Sequence, residues 1–303
     1  MMAVSLLRKR LLKDKMTKSF MFISTGVGML VLVFMGVGLY MKSRMILNEH
    51  SLWDLLTNAD WKPLSEEFGF LPFIIGTLAV TALSILIALP ISLLSAIYLS
   101  EYAHSWTKRV IFPVLDILAG IPSVVFGVWG TLIIVPWIAD KLGPHFVEYT
   151  SGYTVLASGI VLGVMILPIL VSLFIEIFTI VPQDYRDAAA SLGATKWQIS
   201  TKVILRKSMP GIIAAVVLAI SKAFGETIAV LMVCGNYAEI PHSLFDPCYP
   251  LPALIANNYG EMLSLPLYES ALMFAAFILF FIILVFNLAS RMMLQHVEKK
   301  FKL

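Results

Sequence analysis

Asp187-Ala188-Ala189-Ala190-Ser191-Leu192-Gly193-Ala194-Thr195 lies within a polar, mostly basic segment, residues 182–210, between two long apolar runs. The segment reads as helix, glycine turn, helix. Pro182 suits a first helical turn, where its missing N–H costs little. Tyr185, Ala188, Ala189 and Leu192 recur at i, i+3, i+4 and i+7, so they share one helix face. Gly193 is placed to end that helix in a left-handed conformation. Thr195-Lys196-Trp197-Gln198 has capping-box spacing for a second helix. Ala188 and Ala189 are small enough for another protein surface to approach closely. The expectation is that the rest of the chain moves when this elbow is pushed.

Outward from the elbow, the chain is written for lipid. Of its 303 residues, 59% are hydrophobic and 14% charged, where a soluble domain would carry about 25% charge. Six apolar runs, about 20–41, 70–99, 110–137, 153–181, 211–234 and 268–294, are long enough to cross a bilayer, which takes roughly 20 helical residues. The first follows Arg8-Lys9-Arg10. Its apolar core is too long for a signal peptide and no small-x-small site follows, so it reads as a retained helix. The expected fold is an all-α membrane protein of six transmembrane helices. Residues 1–19 form a basic tail, 20–41 the first helix and 42–69 an outer loop. Residues 70–294 hold five further helices with the 182–210 loop among them, and 295–303 form a second tail.

Orientation follows from the loop cations. The N-terminal tail, loop 100–109, loop 182–210 and the segment after residue 290 hold seventeen Lys and Arg; the opposite loops hold only Lys42, Arg44, Lys62 and Lys141. Both termini and the elbow are therefore expected in the cytoplasm. Pro90, Pro113, Pro122, Pro136 and Pro168 fall in the second to fourth runs. That concentration suggests helices lining a cavity, whereas the end helices face lipid or partners. Ser51-Leu52-Trp53-Asp54 resembles a helix start, and Trp53, Leu55, Leu56 and Trp61 suit an interfacial belt. Residues 235–267 carry no Lys or Arg, and Pro252–Asn258 suggest a short helix dipping inward. Cys234 and Cys248 fall on the outer side, where a bond is permitted but not demanded. Internal repeats and paired broken helices of the secondary-transporter kind are not evident.

No G-x-x-x-x-G-K-[ST] phosphate loop is present, so any ATP is hydrolysed by a partner. No metal-ligand spacing and no nucleophile–base pair stand out, and no cofactor or nucleic acid is expected on this chain. The intramembrane charges carry more information. Lys222 and Glu226 lie in the fifth run, four residues apart and so on one helix face. Lys222 lies ~16 Å along that helix from Gly211, near mid-membrane, where insertion of a lysine costs about 2.5–3.5 kcal/mol. Two readings stand: a pair that holds the bundle together, or a cation in the path of an anionic solute. Asp116 and Glu176 lie nearer the cytoplasmic ends and suit packing or partner contacts. Ala119–Gly127 breaks the third run. Ser123 offers a hydroxyl there, and a half-helix beginning at Pro122 would present N–H groups that favour an anion; a small-residue packing seam is the alternative.

The elbow resembles the cytoplasmic signature of ABC importer permeases, E-A-A-x-x-x-G followed by nine residues and I-x-L-P. Asp187-Ala188-Ala189, Gly193 and Val203-Ile204-Leu205 match its spacing, with Asp187 in place of glutamate and Arg206 in place of proline. From about residue 60 the chain is similar to phosphate importer permeases of the PstC type. The similarity runs through Trp61-x-Pro63, Phe68-Gly69-x-Leu71-Pro72-Phe73, Asp116-x-Leu118-Ala119-Gly120-Ile121-Pro122-Ser123, and Gly225-Glu226-Thr227-x-Ala229-Val230-x-Met232. Lys222 stands where the family normally has arginine.

The resemblance implies a MetI-like core formed by the last five helices. It implies ATPase coupling through Asp187, Ala188, Ala189 and Gly193, and a substrate pathway past Lys222, Glu226, Thr227 and Ser123. It also implies a PstA-like second permease, a PstB-like ATPase dimer that holds the ATP, and a PstS-like binding protein. The expected function is a phosphate permease subunit in the cytoplasmic membrane, not an enzyme. A permease for another oxyanion is the alternative within the class. A self-sufficient secondary transporter or channel, or a scaffold, would come from outside it.

Overall fold

The computed structural model describes residues 2–260 and 265–301. Residues 261–264 of the outer segment, and Lys302 and Leu303 of the C-terminal tail, lie outside that part. Ten helices organise the chain: α1 Met2–Lys42, α2 Leu71–Ile97, α3 Ser105–Gly120, α4 Ser123–Trp129, α5 Val155–Ile180, α6 Gln183–Ser191, α7 Met209–Gly225, α8 Ile228–Leu231, α9 Leu251–Asn258 and α10 Pro266–Phe301. Short helical segments, among them Arg44–Glu49 and Leu52–Thr57, join them. α4 runs on through π-helical turns, so the whole apolar rod spans Ser123–His145. Among the described residues, five helical rods are long and apolar enough to cross a membrane. A sixth crossing is met if the bent pair Lys196–Lys207 and Met209–Gly225, folded by 70° at its break, counts as one span. The outer loop holds a two-stranded antiparallel hairpin, Trp61–Lys62 with Glu67–Phe68, in an otherwise all-α chain.

α2 and α5 form the most extensive helix pair. Lipid gives apolar side chains little reason to leave it, so helices associate where small residues let backbones approach. Gly159 and Gly163 provide that approach: a Cβ at Gly159 would lie 2.5 Å from Leu83 Cδ2, and one at Gly163 3.2 Å from the Ser84 carbonyl. Leu162, Ile166, Leu170, Phe174 and Phe178 make a fully buried i, i+4 stripe on α5. Pro168 is also buried, whereas Pro90, Pro113, Pro122 and Pro136 are exposed on the isolated chain.

α1 stands apart. Its spanning window buries nothing, and it meets α10 near its own C-terminal end, through Tyr40–Phe277 and Lys42–Glu269. The outer loop is less peripheral than an interfacial belt. Trp61 packs edge-on against Phe68, Phe70 and Phe73, at 4.9 Å from the last ring, and beside Tyr268. Leu55 is completely buried. Trp53 alone of the two tryptophans keeps the exposure expected of a belt residue, at 76%.

The third apolar run is broken where the sequence suggests. Ile121 precedes Pro122, which drives it out of the helical region, and its ψ is 129°. The crossing rod, however, begins only at Ser123. α3 is a separate helix, laid against α5 through Leu115 and Val171.

Candidate functional site

Two places gather the residues singled out by the sequence. The first is the 182–210 loop. α5 ends at Ile180 because Val181 precedes Pro182 and is extended, with ψ 122°. Pro182 is the N-cap of α6, one position outside the helix, a small correction to its expected place in the first turn. The end of α6 is a Schellman motif: Gly193 N–H donates to the Ala190 carbonyl at 2.9 Å and Ala194 N–H to the Ala189 carbonyl at 3.1 Å. Gly193 has φ +80°, the left-handed region its sequence position implied. Thr195 and Gln198 complete the capping box in both directions.

The outward surface of this elbow mixes small and apolar residues with Gln183, Asp184, Asp187 and Ser191. Leu192 is 89% exposed, Tyr185 and Ala188 are exposed, and Ala189 turns partly inward. Asp187 is exposed and accepts from Gln183 Nε2 at 3.0 Å. The inward surface carries a residue counted in the sequence only as one loop cation. Arg186 Nη2 and Nε donate to the two oxygens of Glu101 at 2.9 and 3.2 Å, and the guanidinium also caps the carbonyls of Phe178 and Val181. Nothing local in the sequence pairs residues 85 apart. The signal available was a single carboxylate at the end of the second run, beside a basic loop. A cavity of about 710 Å³ opens under α6, with Glu101, Lys108, Arg186 and Lys196 among its walls.

The second place is a pair of breaks inside the bundle. α7 stops at Gly225, and Glu226 is extended, with φ −76° and ψ 125°. Lys222 and Glu226 therefore do not share a helix face. Among the described residues the ion pairs are Lys42–Glu269, Lys62 with Asp60 and Glu67, and Arg186–Glu101; a Lys222–Glu226 pair is not formed. Lys222 is exposed in the last turn of α7, where unpaired carbonyls favour a cation. Glu226 and Thr227 are half-buried in the break. Ser221, which the sequence did not single out, donates to Asn287 Oδ1 of α10 at 3.0 Å. Asp116 and Glu176 are exposed and outside these ion pairs.

α8, which follows the break, packs along α4. A Cβ at Gly127 would lie 3.3 Å from Ala229 Cα, and Thr131 Oγ1 donates to the Met232 carbonyl at 3.1 Å. The two segments run in the same direction, so their starts, Ser123 and Thr227, lie at the same end. α4 and the four-residue α8 thus each follow a break in the chain. Pro122 marks one break; Gly225 is the one local sign of the other.

These features match a known architecture. Residues 88–303 match the family described as the binding-protein-dependent transport system inner membrane component. The chain belongs to that family. It is 35% identical, over 82% of its length and 81% of the relative's, to the phosphate transport system permease protein PstC of Pasteurella multocida (strain Pm70). It is 38% identical, over 86% and 84%, to the probable ABC transporter permease protein YqgH of Bacillus subtilis (strain 168). Its fold is shared with a chain of the inward-facing MetNI methionine ABC transporter, with TM-score 0.51 and 18% identity over 73% of this chain and 93% of that one. The chain is thus a multi-pass membrane permease of the ABC importer class, with the MetI-like fold. A family member of this kind is a transport component that works with a separate ATPase and a substrate-binding protein.

Proposed function

We propose that this chain is one of two permease subunits of an ATP-driven importer of inorganic phosphate. Its partners are a PstA-like permease, a PstB-like ATPase dimer and a PstS-like binding protein. The observation that carries the reading is the exposed α6–Gly193 elbow, a small-residue helix with a free outer face on a chain that lacks a phosphate loop. Relatives named as phosphate permeases, matched over about four-fifths of both chains, support the substrate. The cation bias supports an elbow and termini in the cytoplasm. In this reading Asp187, Ala188, Ala189 and Gly193 receive the ATPase. Lys222, Glu226, Thr227 and Ser123 line the path, where a lysine in a helix's last turn and the start of the rod at Ser123 present positive charge to an oxyanion. ATP binding moves the elbow and turns the path outward; the solute shifts this equilibrium only through different affinity for the two states.

The test is uptake of radiolabelled phosphate by the four components in liposomes, against sulfate as competitor. ATP-dependent phosphate uptake resistant to excess sulfate is expected. Uptake of sulfate instead would transfer the reading to another oxyanion, and phosphate uptake without the ATPase would remove it from this class. Asp187→Lys should weaken ATPase co-purification, and recovery at the wild-type level would remove Asp187 from the docking face.

A further inference from the structure

We propose that Arg186 and Glu101 clamp the docking helix α6 to α2 and α5, so that the three move as one body. The proposal rests on the docking reading of the 182–210 loop.

Arg186 joins three elements with one planar group. Its side chain is 14% exposed and that of Glu101 15%. Glu101 belongs to the π-helical turn Tyr98–Tyr102 that closes α2. Phe178 and Val181, whose carbonyls accept from the same guanidinium, belong to the last turn and C-cap of α5. The Val181 N–H reaches the Phe178 carbonyl only at 3.4 Å, so these C-terminal carbonyls have room for a further donor, and a cation there is further favoured by the helix dipole. A bidentate carboxylate contact plus two carbonyl contacts needs arginine's fork; a lysine ammonium could not make all of them in one plane. Turning α6 against α5 would break the charge-assisted bonds together. α2 and α5 are themselves held closely by the Gly159 and Gly163 seam.

The other end of the loop is built differently. Residues Lys196–Lys207 meet α7 at a bend of 70°. Ser208 sits at that bend, 4% exposed, and its hydroxyl has no protein partner among the described residues. The backbone N–H of Ser208 donates to the Ile204 carbonyl at 2.8 Å and its carbonyl accepts from the Ile212 N–H at 2.9 Å, so the main-chain bonds run on through the bend. A push on α6 is passed to α2 and α5 through the Arg186–Glu101 contact.

The experiment compares wild type, Glu101→Gln, Arg186→Lys and Ala188→Trp in the reconstituted complex. It measures ATPase co-purification and the fold stimulation of ATP hydrolysis by the loaded binding protein. Glu101→Gln and Arg186→Lys should keep the ATPase bound yet reduce the stimulation at least fivefold, with Arg186→Lys the milder. Unchanged stimulation in Glu101→Gln overturns the clamp, including where that variant is only less heat-stable or less abundant. Ala188→Trp tests the docking reading separately: it should lose the ATPase, and full co-purification would overturn docking rather than the clamp.

Discussion

The backbone N–H of Cys248 donates to the carbonyl of Cys234 at 2.8 Å, and both side chains are completely buried. The Cys248 thiol is pushed well above the usual thiol range by its hydrogen bond with Cys234 and by burial. A raised value favours the neutral thiol in the folded state. Its contribution to stability is complete below the unfolded value, about 8.5, and is lost as pH rises through the folded one. Near neutral pH the native chain should resist soluble maleimide and the reduced, unfolded chain should take two labels per molecule by mass. Prompt labelling of the native chain would contradict the burial of this pair.

Gly193 tests the elbow through the backbone alone. Its φ is +80°, and a Cβ added there would meet no heavy atom within 4 Å. Gly193→Val should cost about 1–2 kcal/mol from the left-handed conformation, with loss of coupling between ATP hydrolysis and uptake. Gly193→Asn, which tolerates that conformation, should stay near wild type. Equal coupling in all three proteins would refute a docking role for this turn.

Lys222 separates transport from stability. It is exposed, and an ion pair with Glu226 is not formed. Lys222→Ala should abolish phosphate uptake while the complex assembles and its stability changes by no more than about 0.5 kcal/mol. Lys222→Arg should retain uptake. Normal transport by the alanine variant would make the lysine dispensable.

Gly130 reports on the packing of the rod that begins at Ser123. A Cβ there would lie 2.6 Å from Val161 Cγ2 and 2.8 Å from Val233 Cγ1, and β-branched side chains have little rotamer freedom to yield. Gly130→Ala should destabilise the chain by about 1–3 kcal/mol, read as a lower midpoint of thermal unfolding in detergent. An unchanged midpoint would show that α4, α5 and the turn after α8 are less closely packed than these distances state.

By itself the sequence determined what depends on neighbours along the chain. Apolar runs demand helices in lipid, Pro122 and Pro182 force the preceding residues extended, Gly193 ends α6, and Thr195 with Gln198 caps the next turn. Each is a matter of a few bonds within one segment. The tertiary structure decided what depends on residues far apart. It ended α7 at Gly225 and so separated Lys222 from Glu226. It set α8 beside α4, moved Trp61 and Leu55 from an expected interface into a core, and brought Arg186 to Glu101. A helical period gives the face a residue shares but not where a partner 85 positions away will stand. The charge of Arg186 was legible in the sequence; its engagement was not, because it arises only when the ends of α2 and α5 converge under the docking helix.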